Sequence, residues 1–569
     1  MCGIFALINH KTINREKIYK SFEQGKNRGP EHSITKEINN FFIGFHRLAI
    51  NGINKESNQP FFMKNCFLIC NGEIYNFKKL AQDNNIHLNT DSDCEIIIHI
   101  YKLYGIEYTL HLLDGVFSFV LYDKDSDTVF IARDPYGIRP LYYFDEDNIY
   151  GFSSELKSIY DLPKNKTTIK TFLPSTYLII SNIQTNISLE FKKYTTMPFT
   201  NTLYNDFHHE KLHNIAPNIV SKIKNAVKKR VIGTTDRPIA CLLSGGLDSS
   251  LIAALVSNEL KQADNQTEKL KTFSIGLPGS EDLKYAKIVA EHIDSDHHEV
   301  ILSEDDFFNA IPEVIHKIES YDTTTVRASV GNYLIAKYIS EMTNCKVIFN
   351  GDGADELMGG YLYFKNSPNE YAFDKECRRL LTDIHIFDVL RSDKSISSNG
   401  LEPRTPFLDR EWVEYYLTID KKIRFNVTKN NCEKYLIRKS FSIVNPELLP
   451  EKILWRTKEA FSDGVSSLTK SWYEIINEKI NHICDNDIYL KEKLFELQQD
   501  YKNLAFANNK NINLPDTLEK CYYRFLFNKH YNKCDYLIPY YWMPKFVNAK
   551  DASARSLLIY NANNTNKEL

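Results

Sequence analysis

A cysteine stands second in the chain, in Met1-Cys2-Gly3-Ile4-Phe5, where loss of Met1 would make it the N-terminus. One residue would then carry both nucleophile and base: the thiol attacks, and the α-amino group, with an ordinary pKa of about 7.7 to 8.0, exchanges protons near neutrality. Alone, a cysteine beside a start codon is more often an incidental small residue. A second motif, Ser244-Gly245-Gly246-Leu247-Asp248-Ser249-Ser250, follows the apolar run Pro238 to Leu243. Its glycines let backbone amides face a ligand, its serines add donors, and a following helix presents its positive end, a combination suited to pyrophosphate. The Walker lysine is missing and Asp248 lies inside the loop, which implies Mg2+ between carboxylate and phosphate. That chemistry is cleavage of ATP between its α- and β-phosphates to adenylate an acid. A third motif, Asn350-Gly351-Asp352-Gly353-Ala354-Asp355-Glu356, concentrates three carboxylates after another strand-like run. One carboxylate is available to join Asp248 on the metal and another to accept a proton from an incoming amine.

Positioning these residues requires at least two folding units. To about residue 195, strand-like runs at Ile43 to Ile50, Cys66 to Cys70 and Val116 to Tyr122 alternate with turns, and Asp93 to Tyr104 has helical spacing, predicting a mainly β domain with accompanying helices. Polar residues from Thr195 to His209 read as a linker. Helical spacing from Lys211 to Arg230 opens a second unit, in which the run before Ser244, Leu270 to Ile275 and Lys346 to Phe349 are strands alternating with helices. Such units predict a parallel sheet that binds ligands at the carboxyl ends of its strands. The boundaries expected are 2–195, linker 196–212, 213–545 and a tail 546–569 whose Asn561 to Asn566 stretch is frayed.

At 569 residues with 43% hydrophobic and 25% charged content, the chain can bury several cores. A net charge of −3 gives no support for a nucleic-acid or membrane-surface partner. Eleven scattered cysteines indicate neither a disulfide framework nor a zinc site. With no signal-peptide pattern or membrane-spanning run, a cytoplasmic enzyme of small molecules is expected.

With Cys2 at one end and the Ser244 to Ser250 loop in the middle, the chain resembles the glutamine-hydrolysing asparagine synthetases. Its first part carries Arg28-Gly29-Pro30, His46 to Ile50, Asn71 to Asn76, Ser92 to Glu95 and Arg133 to Leu141, motifs also found in other class II glutamine amidotransferases. More specific are Thr324 to Ser329, Leu401 to Asp409, Trp455 to Gly464 and Ile538 to Pro544. The resemblance implies an α/β multidomain fold: an N-terminal αββα sandwich of the N-terminal-nucleophile hydrolase type, then a parallel-sheet α/β synthetase domain with extra C-terminal helices. It implies that Cys2 forms a thioester with glutamine, Asn71 and the Gly72 amide stabilise the oxyanion, Arg47 holds the glutamine carboxylate, and Asp93 holds its ammonium, with Ile50 and Glu73 nearby. ATP is expected on Ser244, Gly245, Gly246, Asp248, Ser249 and Ser250, with Leu243, Ile275 and Gly351 around the nucleoside. Asp248 and Asp355 would bind Mg2+, and Lys458 and Arg404 would neutralise phosphate charge. Thr324, Thr325 and Arg327 are candidates for binding aspartate, activated as β-aspartyl-AMP, or for supporting that site. The strand-like Phe152 to Lys157 resembles the family's interdomain segment. The partners implied are glutamine, aspartate and ATP, and a homodimer is allowed.

One residue departs from the family pattern: Asp352 stands where the family usually has Glu in Gly-Glu-Gly-Ser-Asp-Glu, so the proposed proton acceptor is one methylene shorter. A shift of about 1 Å can cost about 100-fold in rate. Two alternatives stay open from the residues alone: a related amidotransferase that adenylates another acid, and a catalytically silent binding protein.

Overall fold

The computed structural model describes residues 1–183, 187–198, 210–233, 236–262, 269–425, 432–508, 513–557 and 560. Residues 199–209 of the expected linker, and the expected frayed stretch Asn561 to Asn566, lie outside them. Period-two alternation builds the first part as two stacked antiparallel sheets of six strands. Strand Gly3–Ile8 lies between Phe41–Arg47 and Ile149–Ser153, while Cys66–Ile74 pairs with Gly115–Asp123 in the second sheet. Along the first of these, Ile4, Ala6 and Ile8 face the second sheet and meet Phe67, Ile69, Val120 and Ile131. Phe5 and Leu7 point the other way, onto Ile18 and Phe22 of the helix Arg15–Glu23. On the far side, Leu68, Phe117 and Phe119 pack against helices Phe77–Asp83 and Ile96–Leu112. The result is helix, sheet, sheet, helix.

The second part holds a five-stranded parallel sheet in the order Asp296–Ile301, Lys271–Gly276, Ile239–Leu242, Val347–Phe349, Glu402–Arg404. Both faces are covered. Ala240, Phe273 and Ile348 pack on one side and Cys241, Val347 and Phe349 on the other. The chain runs outward from the central strand in one direction, then returns to continue in the other, so the crevice at this reversal opens between the ends of Ile239–Leu242 and Val347–Phe349. Ligands of open α/β sheets bind at such a point. Helices Trp472–Asn486, Ile488–Asn508 and Leu518–Tyr531 pack beside this domain. No helix among the described residues is long and apolar enough to cross a membrane.

The expected strand Phe152 to Lys157 is cut short. Ile149–Ser153 is the strand, and Leu156–Ile159 is a helical turn. Its reason lies far away in sequence: the Glu319 carboxylate accepts the backbone N–H groups of Leu156 and Lys157, both at 2.9 Å, capping the turn with a negative charge.

Candidate active site

The register Gly3 to His46 sets Cys2 beside Arg47, and the Cys2 Sγ lies 3.7 Å from the Leu48 carbonyl oxygen. Burial pushes the thiol up to about 11, so attack requires a nearby base. The N-terminal amine here belongs to Met1, and the amine of Cys2 becomes available as that base only once Met1 is removed. Burial lowers the N-terminal ammonium of Met1 to about 6, against the opposing charge of Glu402 at 3.9 Å. Asn71 is wholly buried, with Nδ2 on the Ser154 Oγ at 3.5 Å, and the same hydroxyl accepts the Ile4 N–H at 3.2 Å. Ser154 thus ties the Cys2 strand to the Asn71 strand. The Asn71 Oδ1 is buried without a partner, a polar group held where a ligand could satisfy it.

Arg47 is pinned rather than neutralised. Its guanidinium donates to the carbonyls of Asn51, Gly52 and Asn54 and to Asn58 Oδ1, all neutral acceptors, leaving its charge available for a carboxylate. Glu73 and Asp93 are buried close to Glu402 of the parallel sheet. Burial, then the charges of Glu402 and Asp93, push Glu73 well above the usual carboxylate range, and burial raises Asp93 to about 6. An ammonium group entering here would offset that penalty. Because the folded carboxyl of Asp93 titrates above its unfolded counterpart, its contribution to stability is present below about pH 4 and lost as pH rises through about 6. Asp93→Asn is therefore expected to stabilise the protein by on the order of 1 to 3 kcal/mol at pH 8 and hardly at pH 4. Thermal unfolding at both pH values checks the sign.

The Ser244 to Ser250 loop sits at the reversal of the parallel sheet, and helix Leu247–Gln262 begins inside it. Gly245 has φ +69°, and a Cβ there would lie 2.4 Å from the Ala286 nitrogen, so both conformation and space require glycine. Ser244 and Ser249 hydroxyls hold each other at 3.0 Å. A cavity of about 170 Å³ opens beside the loop, lined by Leu243, Ser244, Gly246, Asp248, Ser249 and Ile275 from one side and by Thr324, Gly351, Asp352, Asp355 and Lys458 from the other. Gly245 and Ser250 support the loop from behind and do not line it.

Asp248 and Asp355 are bridged by a residue that sequence reasoning missed. Lys434 donates to Asp248 Oδ2 and Asp355 Oδ1, each at 2.6 Å, and Lys458 donates to Asp355 Oδ2 at 2.5 Å. Burial alone would raise the Asp355 carboxyl, but these two ammonium groups hold it well below the usual range. The Asp248 Oδ1 is buried without a partner. Two carboxylates beside the phosphate loop, one with an unpartnered oxygen, are the hard oxygen donors that suit a Mg2+ ion completing its shell with phosphate and water. Asp352 stands across the cavity. Its Oδ1 lies 3.2 Å from Arg391, and its Oδ2 is buried without a partner, leaving one oxygen to take a proton.

Two expectations are corrected. Arg404 does not reach the phosphate loop: on the edge strand Glu402–Arg404 its guanidinium pairs with Glu402 at 2.7 Å and with Glu73 at 3.3 Å, drawn to the carboxylates of the first domain. Arg327 does not face the cavity either, because Glu519 and Asp551 occupy its guanidinium and clamp helix Thr323–Met342 to the C-terminal segment. Of the three residues suggested for aspartate, only Thr324 lines the cavity. The Thr325 hydroxyl is bonded to Asp322 at 2.8 Å.

The buried helix Asp388–Ser397 joins the two sites. At its start Arg391 holds Asp352 and Ser392 holds Asn350, while farther along Asp393 and Ser397 bind the guanidinium of Arg28 at 2.7 and 3.0 Å. The Arg28 Nε donates to the Cys2 carbonyl at 3.0 Å.

Known proteins share both halves. The chain matches the family model described as asparagine synthase over residues 218–372 and 365–499, and that of the glutamine amidotransferase domain over residues 1–212. It is 40% identical over 579 residues to the glutamine-hydrolysing asparagine synthetase of Gallus gallus, covering 98% of this chain and 99% of that protein. To those of Homo sapiens and Bos taurus it is 41% identical over 582 and 583 residues, covering 98% and 99% of this chain and 99% of each relative.

Proposed function

The chain belongs to the glutamine-hydrolysing asparagine synthetases, and from that membership we propose how its residues divide the reaction. It is a carbon–nitrogen ligase that makes asparagine from aspartate, ATP and glutamine. Residues 2–195 form the glutaminase, 196–212 the linker, and 213–545 the synthetase, followed by the tail 546–569. Once Met1 is removed, the freed amine of Cys2 takes the thiol proton as sulfur attacks the side-chain amide carbon of glutamine. The oxyanion is received by Asn71 and the Gly72 N–H. Collapse of that intermediate expels ammonia, and water then releases glutamate from the thioester. Arg47 and Asp93 hold the two charged ends of the amino acid.

In the second site the β-carboxylate of aspartate attacks the α-phosphorus of ATP and expels pyrophosphate, cradled by the Ser244 to Ser250 loop and Lys458. Mg2+ held by Asp248 and Asp355 would spread the charge of that leaving group. Ammonia attacks the resulting acyl-adenylate, Asp352 accepts its proton, and AMP departs. The observation that carries this reading is the Asp248, Lys434, Asp355 and Lys458 cluster beside the phosphate loop, with the free Asp352 oxygen across the same cavity. Hydrogen bonds through Arg28, Asp393 and Arg391 tie the Cys2 backbone to Asp352, so the two sites are held in one framework. Eleven free thiols suit a reducing compartment, and we assign the protein to the cytoplasm.

Product analysis tests the assignment. Asparagine, glutamate, AMP and pyrophosphate are expected in equal amounts from glutamine, aspartate and ATP. Formation of ADP and phosphate would overturn the adenylation step, and turnover with another acid but none with aspartate would overturn the substrate assignment.

A further inference from the structure

Arg47, Glu73 and Asp93 come from three separate elements, yet one side chain and its carbonyl reach them all. The Asn51 backbone oxygen accepts from Arg47 Nη2 at 3.2 Å, its Nδ2 donates to Glu73 Oε2 at 2.8 Å, and its side chain lies near enough to Asp93 to favour the charged form of that carboxyl. We propose that Asn51 is a positioning residue of the glutamine pocket, setting the distance between its cationic end at Arg47 and its anionic end at Glu73 and Asp93. The proposal rests on the reading of this pocket given above.

The chemistry favours an amide in this role. An N–H of asparagine stabilises a carboxylate without neutralising it, so at Asp93, which is in no ion pair among the described residues, the negative charge stays available for the ammonium of the substrate, while Glu73 is shared with Arg404. A lysine or arginine there would compete with that ammonium. The turn that carries Asn51 is itself held from outside the domain. Gly52 N–H donates to Asp236 at 2.9 Å, Asp236 N–H donates to the Ile50 carbonyl at 2.9 Å, and Arg237 donates to the Ala49 carbonyl at 2.8 Å. Asp236 and Arg237 lie just before the central strand Ile239–Leu242, so the synthetase sheet braces the turn that carries Asn51.

Glu73 and Asp93 are also faced by Glu402 and Arg404 from the edge strand, by Arg139 near Glu73, and by the Cys94 thiol. Those groups remain when Asn51 changes. Removing its donor should leave Glu73 and Asp93 harder to ionise, and the free enzyme should then lose glutamine affinity at a higher pH.

Asn51→Ala and the near-isosteric Asn51→Leu test this, assayed on the full chain for glutamine hydrolysis and for asparagine synthesis from ammonium. The expected result is a KM for glutamine raised about tenfold with kcat within about twofold, the pattern of lost uniform binding. The acid limb of kcat/KM for glutamine should move to higher pH, and ammonium-dependent synthesis should match wild type. Wild-type KM and pH profile in both variants would overturn the role of Asn51. So would a parallel fall of ammonium-dependent synthesis and thermal stability in both, which a purely structural residue produces. Absence of glutamine hydrolysis by the wild type would instead overturn the pocket assignment beneath it.

Discussion

Cys2→Ala is expected to abolish asparagine formation from glutamine, by about 10⁴-fold or more, while leaving formation from ammonium at the wild-type rate. Removing the nucleophile of a covalent mechanism costs this much because the remaining groups stabilise a transition state that no longer forms. Burial pushes the thiol up to about 11, so the sulfur needs a base beside it to take its proton as it attacks. The substitution is small: Cys2 packs at the edge of the inter-sheet core, and alanine keeps its backbone, whose carbonyl accepts from Arg28. The link through Arg28 to helix Asp388–Ser397 should therefore survive, and with it the geometry of Asp352. Both rates are read from asparagine formed under glutamine or ammonium chloride. Loss of both in a folded variant would show that the two sites are not separable as argued.

Asp355→Asn is expected to reduce asparagine synthesis and pyrophosphate release by about 10³-fold with either nitrogen donor, leaving glutamine hydrolysis intact. The carboxylate does three things. It anchors Lys434, anchors Lys458, and with Asp248 makes the anionic pair that fits Mg2+. Asparagine keeps the volume and loses the charge, so two largely buried lysines lose an anionic partner, where electrostatic terms of several kcal/mol are usual. Lys458 should also lose the upward shift that, against burial, the charges of Asp355 and Asp248 impose. Pyrophosphate release measured under saturating ATP and ammonium decides the matter. A variant within tenfold of wild type would remove Asp355 from the pyrophosphate site.

The parts of this molecule that were legible in the sequence are those in which chemistry is local. The Ser244 to Ser250 loop announces itself because a glycine turn, hydroxyl donors and a helix start are adjacent in the chain, and the structure keeps that order. The β-rich first part and the alternating second part were legible as well, since periods of 2 and 3.6 record which face of each element is buried. Lys434 was not. It begins helix Tyr435–Val444 like many solvated lysines, and nothing near it in sequence marks its partner Asp248, 186 residues away. Asn51 was hidden as well: Arg47 is four residues before it, but Glu73 and Asp93 come from other elements and meet it only in the folded domain.

Arg404 and Arg327 teach the converse. Motif membership marked both, but a buried guanidinium goes where carboxylates can neutralise it, and Glu73 with Glu402, or Glu519 with Asp551, stood closer than any phosphate site. The strand read through Phe152 to Lys157 ended early because Glu319, on a distant turn, caps the helix that replaces it.

By itself the sequence determined which chemistry the chain is equipped for, through a cysteine at position 2, a pyrophosphate loop and a carboxylate-rich turn, because each carries its chemistry within a few consecutive residues. The tertiary structure alone decided how those pieces work on one another: which lysines hold the aspartates, which asparagine spans the glutamine pocket, and which helix runs from Arg28 to Asp352. Such pairings span up to 365 residues, and only the burial of opposite charges in a shared core selects them.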